Sequence, residues 1–441
     1  MPRTLYAPTR AARLTVARRV TVSLLVAASI VACGGNGGSD SPTETPSQPT
    51  LSPRLLHEFS PGAIGFYYNP PTLVGNAIYV GTSRGIEYQP GTSNAFYKLS
   101  ATLAKVWEYA LGPKEVRGGA ALDAAGNIYF AVEEGRFLNT SNPSIFWLYS
   151  LDPNGTLRWT KQIRRTLPNL GMNNPAIAAD NTIYIGGDKF YAFDADGNQK
   201  WSYQEAASLL MMNAPILDPA GNIYFSSLNT IYSLTSTGVR RWRVTTSGEH
   251  FSSPAFSVDY SKVFVAVGAQ VYCLRAATGE VIWQFAPPGV VGVFRSSPAV
   301  DDNDNVYLGT KADNQSVFYA IRSDGAGLLW QNPIGGDLYS SPAIGNDRTL
   351  YVGSEVAAGQ QLNLHALDLA TGATKWSSPL RRDVTWSSPA IADDGTLYIG
   401  SMDVNGDGAR LYSFRTDATG LLRTAGSPRF HGSNANNGRR N

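Results

Sequence analysis

Cysteine and histidine are scarce in this chain of 441 residues, and charged residues make up only 16% of it. The two cysteines and four histidines are Cys33, Cys273, His57, His250, His365 and His431. So few cysteines exclude a disulfide-rich scaffold and a zinc site built from thiolates. The histidines are also too scattered to show a metal-ligand spacing, so the sequence predicts no assembled catalytic centre or metal site.

The net charge of +2 comes from one end of the chain. Five arginines lie within the first 32 residues, which contain no Asp or Glu: Arg3, Arg10, Arg13, Arg18 and Arg19. Without them the rest of the chain carries a net charge of −3. A mildly acidic protein lacks the basic surface that attracts nucleic acids and anionic lipids. A nucleic-acid-binding function is therefore not expected.

Long hydrophobic runs are absent as well, and the apolar run at residues 20–32 is shorter than the ~20 residues that a membrane-spanning helix needs. An apolar run of this length after arginines is typical of a signal peptide. It ends in Ile30-Val31-Ala32-Cys33-Gly34, which resembles the bacterial lipobox, whose cysteine becomes the lipid-modified N-terminus. We therefore predict a lipoprotein signal peptide over residues 1–32 and lipidation of Cys33.

Residues 33–50 consist almost entirely of Gly, Ser, Thr and Pro beside a few polar residues, so they cannot bury enough apolar surface to fold. We expect a flexible tether that leads into a domain over residues 51–441. Gly34, rather than Asp, follows the cysteine, which resembles the sorting pattern of outer-membrane lipoproteins. The expected location is the bacterial outer membrane, with the domain facing the periplasm.

Glycine, proline and aromatic residues are plentiful, and they follow an internal repeat. A Pro-Ala-apolar step, a short polar turn and an apolar-Tyr-apolar-Gly phrase recur eight times, most clearly as SSPAIADDGTLYIGS at residues 387–401. The units recur every 39 to 55 residues, and in most of them a Gly stands four residues before a Trp in the second half. Each unit supplies four short strands. The sequence therefore predicts an all-β, eight-bladed β-propeller of four-stranded antiparallel blades.

The two ends of the repeat array indicate how the ring closes. The eighth unit carries Leu421-Leu422 where a Trp is expected, and Leu56-His57-Glu58-Phe59 resembles the outermost strand of the other units. We therefore expect the N-terminal strand to complete the last blade. The final segment, residues 427–434, is expected to cover a blade edge.

Residues 366–376, ALDLATGATKW, reproduce the A-x-D-x-x-T-G-x-x-x-W motif and resemble the quinoprotein-type (PQQ-like) eight-bladed propellers. Partial copies end at Trp201 and Trp283. The resemblance implies that the motif tryptophans pack between neighbouring blades and have a structural role. These tryptophans are Trp107, Trp159, Trp201, Trp242, Trp283, Trp330 and Trp376.

One column of residues is a candidate binding ring at the mouth of the central channel. It stands three residues before the Pro-Ala step of each unit and comprises Tyr68, Arg117, Met172, Met212, Phe251, Arg295, Tyr339 and Trp386. Aromatic residues, Met and Arg are typical of contact surfaces. The same side chains could instead plug the channel by packing on one another, and the sequence leaves both interpretations open.

Three functions remain compatible with the sequence. With its lipobox, tether and eight-bladed propeller, the chain resembles the propeller lipoproteins of the β-barrel assembly machinery. This resemblance implies a non-enzymatic scaffold that binds a protein partner. A carbohydrate- or small-ligand-binding protein that uses Phe66, Tyr67 and Trp147 is the alternative. A quinoprotein dehydrogenase with pyrroloquinoline quinone and Ca²⁺ is disfavoured because the sequence has no adjacent cysteine pair. We therefore expect neither catalytic residues nor a cofactor.

One segment, Asp403-Val404-Asn405-Gly406-Asp407-Gly408, matches the first half of an EF-hand calcium loop and is a candidate for binding Ca²⁺. The match then fails, because Phe414 stands where the loop needs its bidentate Glu. A polar turn is the favoured interpretation.

Overall fold

The structure is a computed structural model. It describes residues 53–62, 65–66, 69–83, 93–135, 144–165, 174–205, 213–313, 315–355, 363–380, 384, 386–402 and 409–440. The predicted signal peptide, the lipidation site at Cys33 and the tether lie outside these ranges and remain predictions. Within these ranges, no helix is long and apolar enough to cross a membrane.

Eight antiparallel sheets of four strands form a propeller, which confirms the predicted fold. We letter the strands of each blade A to D from the channel outwards. Blades 1 to 4 contain, in this order, Thr72–Val74, Ala77–Gly81, Asn94–Ser100 and Lys105–Gly112; Ala121–Leu122, Ile128–Glu134, Ile145–Leu151 and Leu157–Arg165; Ala176–Ile177, Ile183–Gly186, Phe190–Phe193 and Gln199–Tyr203; and Ile216–Leu217, Ile223–Ser227, Thr230–Leu234 and Arg240–Thr245.

Blades 5 to 8 follow the same plan. They contain Ala255–Phe256, Lys262–Val267, Gln270–Arg275 and Val281–Phe285; Ala299–Val300, Val306–Lys311, Ser316–Ile321 and Leu328–Gly335; Ala343–Ile344, Thr349–Gly353, Leu364–Asp368 and Thr374–Ser378; and Ala390–Ile391, Thr396–Gly400, Leu411–Arg415 and Arg54–Phe59. Two short strands, Glu115–Val116 and Val293–Phe294, extend blades 2 and 6 by pairing with the far end of strand B.

The N-terminal strand closes the ring, as the sequence predicts. Arg54–Phe59 pairs with Leu411–Arg415 and serves as strand D of blade 8. His57 lies opposite Ser413, the register position at which a Trp lies in the other blades. Leu421-Leu422 do not take that place, contrary to the sequence interpretation; they belong to the segment that follows the last strand, where Leu421 bridges to Gly345.

The hydrophobic core lies between neighbouring blades rather than within one of them. Phe96 of blade 1 stacks on Phe130 of blade 2, and Phe190 of blade 3 stacks on Phe225 of blade 4, each with ring centroids 4.2 Å apart. Strands B and C carry apolar residues on both faces because each sheet is covered on both sides, whereas the outer strand D alternates between packed and exposed residues. This packing buries the sides of the blades against one another and leaves the two ends of the ring as the places where loops can form a site.

Six motif tryptophans join consecutive blades. Each indole nitrogen donates to a backbone carbonyl in the turn between strands C and D of the next blade, as in Trp242 to Ala276 at 2.9 Å and Trp330 to Leu369 at 3.0 Å. The indoles of Trp107, Trp159, Trp201 and Trp283 make the same bond. Trp376 instead packs into the cluster that contains Ala418 and Leu421.

Candidate functional site

The central channel has two mouths with different surroundings. Blade 6 shows which loops lie at each mouth. Val300 of strand A pairs with Val306 next to the turn between strands A and B. Phe294, which precedes strand A, pairs with Thr310 at the other end of strand B. We call the end with the A-to-B turns the A–B mouth. The other end, where strand D of one blade connects to strand A of the next, is the D–A mouth, and the described members of the candidate binding ring lie there.

A serine belt holds the channel wall together just behind this ring. The Ser-Ser-Pro-Ala phrase places its second serine at the boundary between blades, where the amide of Ser253 donates to the hydroxyl of Ser297 at 2.9 Å. The amide of Ser297 donates to Ser341 at 2.9 Å, and that of Ser341 to Ser388 at 3.1 Å. These bonds link blades 5 to 8 in sequence and hold the adjacent ring residues in register.

The structure describes five of the eight ring candidates; Tyr68, Met172 and Met212 lie outside the described residues. Arg117 is 3% exposed, and its Nε lies 2.5 Å from a carboxylate oxygen of Glu133. Its Nη2 lies 3.2 Å from Glu115. Arg117 is therefore held inside blade 2 by two carboxylates rather than presented at the surface.

Four ring residues form two contacting pairs on one half of the D–A mouth. The guanidinium carbon of Arg295 lies 3.4 Å from the ring centroid of Phe251, and the rings of Tyr339 and Trp386 are 4.9 Å apart. Phe251, Arg295 and Tyr339 are partly exposed, whereas Trp386 is buried at 7% exposure. The cluster therefore has one buried residue, Trp386, and three residues that a partner could contact.

Arg295 is the charged group of this cluster. Its Nε is buried and has no hydrogen-bond partner within the described part of the chain. Burial lowers the pKa of Arg295, while the nearby Tyr339 and Glu249 oppose that shift. Burial likewise raises the pKa of Tyr339 to about 12, so its hydroxyl stays protonated at neutral pH and can donate a hydrogen bond. The cluster thus offers a cation, a hydroxyl and aromatic surface at one place.

The A–B mouth is closed by the chain's own C-terminal residues, 417–440, which we call the terminal segment. The equivalent amide in strand A of six blades donates to it: those of Leu73, Ile177, Leu217, Phe256, Val300 and Ile344, at 2.7 to 3.0 Å. Inner strand edges would otherwise face the channel without partners. The terminal segment therefore covers far more than the single blade edge expected from the sequence.

Two basic side chains fix this segment on the axis. Arg429 is 1% exposed and donates to the carbonyl oxygens of Pro71 and Ser433 at 3.3 and 3.2 Å. Burial lowers its pKa to about 9. The ring nitrogens of His431 lie 2.6 Å from Pro215 O and 2.7 Å from Asn436 O, and burial lowers the pKa of this ring to about 4.

Phe430 connects the two mouths. It packs in one cluster with Trp386, Ala214, Met402 and the partly buried Tyr339. Trp386, one of the ring candidates, therefore plugs the channel together with the terminal segment. From the sequence, residues 427–434 were expected to cover one blade edge and not to close the channel; the signal for this role is the aromatic and basic run Arg429-Phe430-His431 within a polar tail.

The other candidates are placed as follows. Phe66, predicted to be exposed for carbohydrate binding, is fully buried because it packs between blades 8 and 1, so that expectation was wrong. Trp147 is partly buried and donates its indole hydrogen to Glu134 at 3.0 Å. Cys273 is buried in strand C of blade 5. Tyr67 and residues 403–408, the calcium candidate, lie outside the described residues.

The resemblance to quinoprotein-type propellers implies pyrroloquinoline quinone and Ca²⁺, and the described residues can be compared with what these two ligands require. Among these residues no three His, Cys, Asp or Glu side chains stand close enough to hold a metal ion. The axis beneath the D–A mouth is filled by Trp386 and Phe430. The described part of the site therefore does not fit a quinone with its calcium ion, and we derive no step through either.

Comparison with known proteins gives the following. A family model described as outer membrane protein assembly factor BamB matches residues 227–404. Among solved structures, BamB from Moraxella catarrhalis superposes with a TM-score of 0.59 at 14% identity, over 82% of this chain and 100% of that one. Quinohemoprotein alcohol dehydrogenase from Comamonas testosteroni gives a TM-score of 0.61 at 12% identity, over 82% of this chain and 76% of that one.

The C-terminal WD40 domain of Sif2 is also similar, with a TM-score of 0.60 at 12% identity, over 83% of this chain and 99% of that one. No curated protein matches the sequence. At these identities the solved structures show the fold alone, and they include an assembly factor, an enzyme and a WD40 domain, so function has to be argued from the site.

Proposed function

Since this chain is an eight-bladed propeller of PQQ-like repeats that is similar to BamB, we propose that it is a non-enzymatic scaffold of the bacterial cell envelope. Its site is the D–A mouth, where it binds a protein partner. The observation that carries this proposal is the cluster of Phe251, Arg295 and Tyr339, which is partly exposed and rests on the buried Trp386.

Two physical features make this cluster suitable for a protein partner. Aromatic residues and Arg dominate the few residues that carry most of the energy in protein interfaces. Here they are already ordered, because Phe251 supports the guanidinium of Arg295 and Trp386 supports Tyr339. Less conformational entropy is lost on binding when the contact side chains are held in place beforehand.

The opposite end of the channel is a poorer candidate for partner binding, since the terminal segment already takes the strand A amides there. The side chain of Arg295, by contrast, is partly exposed, and its Nε has no hydrogen-bond partner among the described residues. A carboxylate of a partner would pair with the exposed part of this guanidinium. The D–A mouth is therefore the better candidate for partner binding.

The finer part of the proposal concerns location. A lipid on Cys33 would anchor the chain to the outer membrane, and residues 34–50 would let the propeller reach a membrane-bound partner from the periplasmic side. The family model that matches residues 227–404 is described as an outer-membrane assembly factor, which supports a partner in outer-membrane protein assembly.

The test is a crosslinking pull-down from native membranes with the full lipidated chain. The variant is the triple change Phe251→Ala, Arg295→Ala and Tyr339→Ala. The control changes three exposed residues in or next to the outer strands: Val106→Ala, Val239→Ala and Leu329→Ala. We expect an outer-membrane β-barrel or its assembly subunits with the wild type and the control, and loss of this protein with the triple variant. Equal recovery with all three proteins would contradict the proposed site.

A further inference from the structure

The outer edge of blade 5 differs from the outer edges of the other blades. Within the described part of the chain, Val281–Phe285 pairs with Gln270–Arg275 alone, so its other edge carries unpaired backbone groups. Proteins usually keep such edges from pairing with another chain by placing charged residues or proline on them. The sequence of this strand, VIWQF, contains neither.

Each of the other seven outer strands has such protection. Leu328–Gly335 of blade 6 has no charged residue, but Pro333 interrupts its edge. The remaining six strands each include a lysine or an arginine: Lys105, Arg158, Lys200, Arg240, Lys375 and Arg54. All eight outer strands belong to the described residues, and only that of blade 5 has neither a charge nor a proline.

Exposed apolar side chains extend from this strand into the loop that follows it. Val281 and Ile282 are 42% and 41% exposed, and Val291 in the loop is 43% exposed. Residues 281–294 contain no charged residue at all. The unpaired backbone groups of the edge call for another β-strand, and the uncharged apolar surface calls for one without charge.

The same strand of a second copy meets both requirements. Two copies can pair antiparallel across a two-fold axis, which brings the same surface of each chain into contact. With the axis at Gln284, Trp283 of one chain lies opposite Phe285 of the other. Aromatic residues opposite each other stabilise an antiparallel sheet. Both aromatic side chains pack against the same cluster of blades 5 and 6, so the partner's pair would extend that packed face.

The same arrangement is unfavourable at outer strands that carry charge on the axis. Gln284 follows the motif Trp in blade 5, whereas Glu108 follows it in blade 1 and Arg243 in blade 4. A two-fold axis at either of these positions would bring two like charges opposite each other, which destabilises the pair. The edge of blade 5 is therefore self-complementary where those edges are not.

We infer that this chain forms a dimer in which Val281–Phe285 of two copies pair antiparallel, with the two-fold axis at Gln284. Such a dimer uses the sides of the rings and leaves both mouths of each channel free. The inference therefore goes beyond the proposed partner at the D–A mouth and does not depend on it. One pair of short strands is small beside the ~800 Å² per partner of a standard interface, so the dimer should be weak and in exchange with the monomer.

Sedimentation equilibrium of the full lipidated chain in density-matched detergent tests the inference. We expect the protein mass to rise from one chain to two between about 1 and 100 µM. Gln284→Lys places two ammonium groups opposite each other and should weaken the dimer by about tenfold or more. Gln331→Lys is the matched control, because Gln331 is exposed and follows the motif Trp of blade 6. It should dimerise like the wild type.

Both lysine variants should melt at the temperature of the wild type, because both glutamine side chains are exposed. A monomer at every concentration would overturn the inference, including a case in which the edge captures a strand of another protein instead. Dimerisation that Gln284→Lys leaves unchanged, or that both variants weaken equally, would place the contact elsewhere and would also overturn it.

A disulfide tests the position of the two-fold axis. Residues directly opposite each other in an antiparallel pair are close enough for a disulfide, so Gln284→Cys should give a covalent dimer on mild oxidation. Gln331→Cys should give none above the background of the wild type, which reports on Cys33 and the buried Cys273. Equal crosslinking of the two variants would contradict pairing at Gln284.

Discussion

Trp242 and Gly279 make the contact that joins blades 4 and 5. The indole of Trp242 covers Gly279 so closely that a Cβ added there would lie 2.7 Å from Cδ2 of the ring. The backbone of Gly279 also has a φ of +76°, which favours glycine. The spacing of four residues between Gly and Trp in the repeats reflects this arrangement: the Gly of one blade receives the Trp of the blade before it.

Gly279→Ala should therefore destabilise the protein by about 2–4 kcal/mol, the sum of the left-handed backbone strain and the overlap with the indole. The control is Gly268→Ala, where φ is +55° but no atom lies within 4 Å of the added Cβ. It should cost only the backbone strain of about 1 kcal/mol. Chemical denaturation of both variants gives the comparison, and equal losses would show that the indole contact is unimportant.

Ser427 provides a test of how much the terminal segment contributes to stability. Its hydroxyl accepts the amide of Phe256 at 2.9 Å, and both residues are buried. Ser427→Ala leaves that amide unpaired and should cost about 1–3 kcal/mol of unfolding free energy. Ser236→Ala, at an exposed turn, should change it by less than about 0.5 kcal/mol. A loss for Ser427→Ala no larger than that of the control would mean that the segment is loosely attached.

Three buried histidines should make the free energy of unfolding decrease as the pH is lowered from about 6.5 to 4. Burial lowers the pKa of His250, His365 and His431 to about 4, below the ordinary value of 6.5. In this window the unfolded chain binds more protons than the folded one, so acid favours unfolding, by up to about 3 kcal/mol for each ring. Above about pH 7.5, one unit beyond the ordinary pKa of histidine, the three rings are neutral in both states and contribute no slope.

Melting temperatures measured between pH 4 and 7.5 check this expectation. His365→Gln removes one of the three rings, so it should flatten the decline at acid pH by about a third. His57→Gln, at an exposed histidine, is the matched control and should leave the profile unchanged. A profile of His365→Gln that is parallel to the wild type would contradict the assignment of this ring to the acid sensitivity.

The blade architecture could be predicted from the sequence because its causes are local and repeated. The Pro-Ala step, the polar turn and the Gly-to-Trp spacing each recur within one unit, so eight copies support one another. The pairing of Arg54–Phe59 with the last blade was also predictable, since Leu56-His57-Glu58-Phe59 keeps the alternation of an outer strand.

The terminal segment could not be placed by the same reasoning. It has no repeat and little apolar character, and its bonds run from Ser427 to Phe256 and from Asn437 to Ile177, far away in the sequence. The burial of Phe66 was missed for a similar reason: an aromatic residue near a loop is indistinguishable from an exposed one until the neighbouring blade, which covers it, is placed.

The quinoprotein alternative predicts an activity that is simple to measure. After addition of pyrroloquinoline quinone and Ca²⁺, a dehydrogenase would reduce an artificial dye with an alcohol or an aldose. We expect no dye reduction above background, because Trp386 and Phe430 fill the axis beneath the D–A mouth. Substrate-dependent reduction that requires both additions would establish an enzyme and overturn the scaffold proposal.

Site-specific photocrosslinking in native membranes tests the central claim most directly. A photoreactive amino acid replaces Tyr339 at the D–A mouth in one protein and Asp347 at the A–B face in another. We predict a crosslinked membrane protein from position 339, and none from position 347. A partner captured only from position 347, or from neither position, would contradict binding at the D–A mouth.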